Sequence, residues 1–76
     1  MTLHRFLIII EEAGANFSAY SPDLPGCAAT GGTRADAEAN MYGAIQMHIE
    51  GLREDGLPIP ESTTFAEYML VGAESR

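Results

Sequence analysis

Leu3-His-Arg-Phe-Leu-Ile-Ile-Ile-Glu-Glu12 is the stretch on which the architecture turns. Ile8, Ile9 and Ile10 are branched at Cβ, which crowds a helix and suits a pleated strand. Residues 3–12 therefore read as a strand. Its apolar side chains fall on both alternation sets, with Phe6, Ile8 and Ile10 on one face and Leu3, Leu7 and Ile9 on the other. A strand covered on one side only alternates apolar with polar residues. The pattern predicts a central strand buried on both faces.

Downstream, Ala13-Gly14-Ala15-Asn16 carries two residues tolerant of positive φ and reads as a four-residue hairpin loop. Residues 17–21 return as a second, antiparallel strand. Pro22-Asp23-Leu24-Pro25-Gly26 has the chemistry of a turn, because its prolines fix φ and Gly26 reaches conformations closed to other residues. A short third strand over 27–30 ends at Gly31-Gly32. Thr33 then opens a helix over about 34–55: its hydroxyl suits the N-cap, and Asp36 occupies the capping-box position. Asp is one carbon shorter than the usual Glu, so its contribution there is mainly charge at the helix N-terminus. Ala37, Met41, Ala44, Ile45, Ile49 and Leu52 form the apolar stripe, and Gly56 with Pro58 ends it. Gly43 and Gly51 each cost roughly 0.8–1 kcal/mol against Ala, so packing must hold this helix. An extended linker over 57–61 leads to a fourth strand over 65–71 and a tail over 73–76. The expected fold is α+β, a single domain over 1–76 in the order β-β-β-α-β. It comprises a mostly antiparallel four-stranded sheet with one long helix on one face.

Composition narrows the function. Seventy-six residues allow one small core. Eleven acids against Arg5, Arg34, Arg53 and Arg76, with no lysine, give a net charge of −7. Phosphate binding needs clustered cations to release counterions, so direct nucleic acid binding is not expected. An acidic surface instead speeds encounter with a basic protein. The single cysteine excludes an intramolecular disulfide and the usual cysteine-based zinc sites. The apolar run Phe6–Ile10 is too short for a signal-peptide core, and nothing approaches a membrane span. A cytoplasmic setting follows as the expectation. A helix of ~23 residues, ~35 Å long, covers one sheet face. With the first strand apolar on both faces, the second face must meet another copy or another protein. Self-association as a dimer or tetramer is expected.

Tyr20-Ser-Pro-Asp-Leu-Pro-Gly-Cys27 is followed by Gly31, Thr33, Asp36-Ala37, Asn40 and Ala44-Ile45. This series resembles the HicB-like antitoxin family, whose pattern runs as a hairpin, "PDLPGC", a Gly, a helix-starting Thr or Ser, "EA", "N" and "AI". The likeness covers residues 5–52. It implies a fold similar to a truncated RNase H domain without nuclease activity. The implied partner is a HicA-type toxin, small, basic and mRNA-cleaving. Many family members carry a C-terminal DNA-binding module; none is read after residue 71, so operator binding is not expected. The family also includes short members with no established toxin neighbour, which leaves a stand-alone structural or ligand-sensing homo-oligomer as the alternative. Asp36 replaces the usual Glu, and the Gly31-Gly32 pair reads as a loosening of the helix start.

Each candidate residue also has a plain structural reading. Tyr20, Pro22, Asp23, Leu24, Pro25, Gly26 and Cys27 form a rigid turn, with Asp23 bonding locally to backbone amides, or else part of a partner-binding edge. Cys27 has no base near it in sequence and reads as a small buried thiol. His48 sits on the helix stripe, where a packed residue is the ordinary reading, and nothing local gathers His4, His48 and an acid around a metal. No cofactor is expected. RNase H chemistry holds two metal ions on clustered acids, but the middle of the first strand, where that fold would place a metal ligand, is solid isoleucine, so the chain reads as no enzyme. Glu50, Glu54 and Asp55 crowd the helix C-terminus, where acids are disfavoured. They read as a solvated face or as an acidic patch for a basic partner.

Overall fold

The computed structural model describes residues 2–74. Met1, Ser75 and Arg76, and with them the end of the expected tail, lie outside the described residues. Three antiparallel strands, β1 (Ile9–Ala13), β2 (Asn16–Tyr20) and β3 (Ala28–Gly31), form a sheet in the order β1-β2-β3. Ile10 pairs with Ala19 and Ile9 with Tyr20, and Ala19 in turn faces Ala29. The hairpin is tighter than expected. Ala13 pairs directly with Asn16, leaving only Gly14-Ala15 between the strands. Gly14 has φ +71° and Ala15 does not reach positive φ, the pattern of a type II′ turn.

Helix α1 (Arg34–Glu54) begins where expected, with the Thr33 hydroxyl accepting from the Asp36 amide at 3.0 Å. It packs mainly over β3 and β2. Ala19, Leu24, Cys27, Ala37 and Met41 form the buried core. Phe6, Ile8, Ile10, Phe17, Ile45 and Ile49 pack against it from the margins. The two alternation sets of the first strand thus separate as read, with the even-numbered set facing the helix. Asn40 reaches from α1 to the Thr30 carbonyl at 2.8 Å, occupying an acceptor on the outer edge of β3.

Gly31 corrects an expectation. A Cβ there would collide with the Ala37 amide nitrogen and lie 2.7 Å from the Asp36 carbonyl carbon. The glycine therefore does not loosen the helix start; its missing side chain lets the first turn of α1 close onto β3.

Two larger corrections concern the sheet. The first strand is not central: β1 lies at an edge, and residues 3–8 run outside the ladder. Nor do the described residues form a fourth strand. Residues 65–71 carry no strand pairing and lie open to solvent. Strand sequence becomes strand only where a neighbouring edge completes the hydrogen bonds, and no such edge meets this segment. The full sheet implied by the RNase H resemblance is accordingly not formed by one chain. What stands is an α+β fold with a three-stranded antiparallel sheet and one long helix. The segment after α1 projects, and the Cα radius of gyration of 15.5 Å well exceeds the ~11 Å of a compact chain this long.

Candidate functional site

The loop between β2 and β3 consists of two consecutive turns. The Leu24 amide donates to the Ser21 carbonyl at 3.1 Å, and the Cys27 amide donates to the Leu24 carbonyl at 3.0 Å. Pro22 and Pro25 occupy the second position of each turn, where a fixed φ is favourable. Gly26, with φ +82°, takes the third position of the second turn, as a type II turn requires. No atom lies within 4 Å of a Cβ built there. Gly26→Ala should therefore destabilise the fold by about 1–2 kcal/mol through backbone strain alone, measurable as a lower urea midpoint. An unchanged midpoint would show that the loop can adopt another turn.

Asp23 does something other than cap its own turn. Its carboxylate accepts from three consecutive hydroxyls about forty residues away: Ser62 at 3.1 Å, Thr63 at 3.2 Å and Thr64 at 2.9 Å. The loop thereby latches the root of the segment that follows α1. Desolvation pushes the Asp23 carboxyl up, but hydrogen bonds from Thr64, Ser62 and Thr63 outweigh it, and the net shift is below the ordinary carboxylate value. A lowered folded-state pKa means the latch is fully present above about pH 4, the unfolded value, and is lost as pH falls through the folded one. Amide protection at residues 62–65, taken relative to the intrinsic exchange rate at each pH, should fall below about pH 4, and Asp23→Ala should show that lower protection already at pH 7. Equal protection in both proteins at pH 7 would show that the arm root is held by other contacts.

Leu24 turns inward from the same loop and is almost wholly buried, while Tyr20 stays exposed at the end of β2. Cys27 is buried, and desolvation raises its thiol above the ordinary range, the opposite of an activated nucleophile. Thr33 and Asp36 lie at the far end of β3 as the helix cap. Glu50, Glu54 and Asp55 are exposed around the C-terminal end of α1, where Arg53 is the basic residue of the last turn. Among the described residues, no three His, Cys, Asp or Glu side chains gather as a metal site would require. No helix there is long and apolar enough to cross a membrane. Beside β1, an open cleft of about 790 Å³ is bordered by Leu7 ahead of the strand, by Ile9 within it, by Arg34 and Glu38 at the start of α1, and by Glu67 and Tyr68 of the projecting segment.

The sequence profile of the HicB_like antitoxin of bacterial toxin-antitoxin systems matches residues 6–73. The chain belongs to the HicB-like antitoxin family. It is 37% identical over 62 residues to an uncharacterized 14.9 kDa protein of Haemophilus phage HP1, covering 82% of this chain and 47% of that protein. The chain thus spans about half the length of that phage relative. It is 30% identical over 60 residues to a UPF0150 protein of Synechocystis, covering 78% of this chain and 76% of the relative. A chain of the solved HicA3 and HicB3 toxin-antitoxin complex superposes with a TM-score of 0.66 at 35% identity, covering 79% of this chain and 70% of that one.

In this HicB-like domain the Pro-Asp-Leu-Pro-Gly-Cys segment joins three tasks: a double turn, a core plug at Leu24 and a latch at Asp23. Reading the sequence alone assigns the turn and misses the latch. The run Ser62-Thr63-Thr64 between Pro60 and Phe65 was the available signal, but hydroxyl residues in a linker are common. The loop and the acidic end of α1 were read as separate features, and no hydrogen bond recorded in the structure joins them.

Proposed function

We propose that this HicB-like domain is the antitoxin of a type II toxin-antitoxin pair and acts as a non-catalytic, cytoplasmic protein-binding module. Its partner would be a small basic HicA-type toxin, blocked sterically when the sheet edge or open face covers the toxin's RNA-binding surface. The observation that carries this reading is the 35% identity to a chain of the HicA3 and HicB3 complex. The net charge of −7 supports it, since opposite charge accelerates encounter with a cationic partner. Co-expression should restore growth to cells producing the cognate toxin, and purified domain should stop toxin-dependent mRNA cleavage. A domain that neither binds the toxin encoded beside its gene nor rescues growth would refute the proposal.

Glu50 and Glu54 are exposed and separated by one helical turn, a placement suited to meeting cations. Glu50→Gln with Glu54→Gln should slow toxin association severalfold at low ionic strength, with the difference fading near physiological salt. Stopped-flow rates that match the parent at low salt would remove these two residues from the interface. A second reading, a structural homo-oligomer without a toxin, is favoured by one observation: the large apolar side chains exposed on residues 65–71. A basic open reading frame of toxin size beside the gene separates the two readings.

A further inference from the structure

Phe65, Tyr68, Met69, Leu70 and Val71 lie within seven residues, and each is between 79% and 104% exposed. Such a run is poorly tolerated by a solitary soluble chain. The root of this arm is not loose, because Ser62, Thr63 and Thr64 hold it on Asp23. Past the latch, Ala66, Glu67 and Tyr68 border the cleft beside β1 without pairing with the strand. Among the described residues none pairs with the outer edge of β1, although its sequence is that of a strand with neighbours on both sides and cover on both faces. One chain therefore presents an unpaired strand-like segment, an unpaired edge, and a cleft between them that its own arm borders.

We infer that two copies exchange their arms, residues 65–71 of each entering the cleft beside β1 of the other. The order across the interface becomes β3-β2-β1, the partner's arm, the chain's own arm, then β1-β2-β3 of the second copy. Each arm gains an edge on either side, and β1 gains the central position that its apolar pattern specifies. With strands about 4.8 Å apart, one inserted strand sets β1 and the resident arm roughly 9.6 Å apart. The two-fold axis passes between the arms, so the contact is isologous and closes at a dimer. Phe65 and Tyr68 offer roughly 150–250 Å² each. Counted with the three aliphatic residues on both arms, the buried area reaches the ~1,200–2,000 Å² of stable interfaces. The other occupants of the cleft, the chain's own arm folding back or the toxin, are outcomes of the test. This inference deepens the self-association element of the proposed function and is independent of whether a toxin exists.

Light scattering of the full chain should give twice the monomer mass at micromolar concentration. The dimer should tighten with added salt as repulsion between two copies of charge −7 is screened, the reverse of the trend for a basic toxin. Tyr68→Asp with Leu70→Asp should give a monomer that keeps the helical far-ultraviolet signal of α1 and loses only the strand contribution of the arms, because neither side chain is buried within its own chain. Mixing a Glu12→Cys chain with a Leu70→Cys chain should yield a heterodimer on treatment with a short thiol cross-linker, while the buried Cys27 stays silent. A monomer at 100 μM would overturn the inference, as would a dimer indifferent to the aspartate pair. Cross-linking confined to single chains carrying both cysteines would overturn it too. Loss of toxin inhibition with an arm-dependent dimer intact would sink the antitoxin reading alone.

Discussion

Gly31→Ala should destabilise this domain by about 3 kcal/mol or more and lower its Tm by over ~10 °C. The contacts a Cβ would make are with the Ala37 nitrogen, the Asp36 carbonyl carbon and the Asp36 Cβ, all under 3.0 Å. Two of these are backbone atoms of the first turn of α1, so no side-chain rotation relieves the clash. The helix start must shift away from β3, and with it the Thr33 cap and the burial of Ala37. A chain of this length is held by roughly 4–11 kcal/mol in total, so the loss is a large share. Gly32→Ala is the matched control, since a Cβ there meets only the Asp36 Oδ2 at 3.9 Å. Thermal unfolding of the two variants is the measurement. A Gly31→Ala protein melting within ~3 °C of the parent would mean the helix and strand are not as tightly apposed as described.

Leu24→Ala should cost 2–5 kcal/mol, in the upper part of that range. Leu24 is 1% exposed and, with Met41, one of the two largest fully buried side chains. The cost of such a truncation depends on how far the surroundings collapse into the space. Here the Leu24 amide and carbonyl are both engaged in successive turns, to Ser21 and from Cys27, and prolines stiffen both turns. The backbone cannot follow the missing atoms inward. Denaturant unfolding should show a large fall in midpoint with the slope unchanged. Leu24→Met, which conserves volume, should cost less than about 1.5 kcal/mol. Comparable losses for both would point to a polar or conformational role in place of packing.

These two residues also show where sequence reading reached and where it stopped. The double turn was legible because Pro22, Pro25 and Gly26 restrict φ locally, and such restrictions act within four residues. That Leu24 plugs the core was not, because one leucine in a turn carries no periodicity. Gly31 was legible as a glycine of the family pattern, yet its reason, a backbone-to-backbone approach between strand and helix, exists only once the two elements meet. Asp23 is the sharpest case. Turn chemistry offered it neighbouring amides, whereas the fold supplies hydroxyls some forty residues along the chain.

The amino-acid order alone settled the element types through residue 54, the helix cap at Thr33, the division of the first strand into two apolar faces, and the family; which of those faces meets the helix was decided by the fold. All of these follow from forces acting between near neighbours: rotamer crowding, alternation, fixed φ and capping. Tertiary structure decided that β1 stands at an edge, that residues 65–71 find no ladder in their own chain, and that Asp23 holds the root of the arm. Those outcomes depend on which surfaces come within hydrogen-bonding reach. A strand's side chains record that it needs neighbours, but the identity of the neighbour is set by where the chain, or a second chain, can place a free edge.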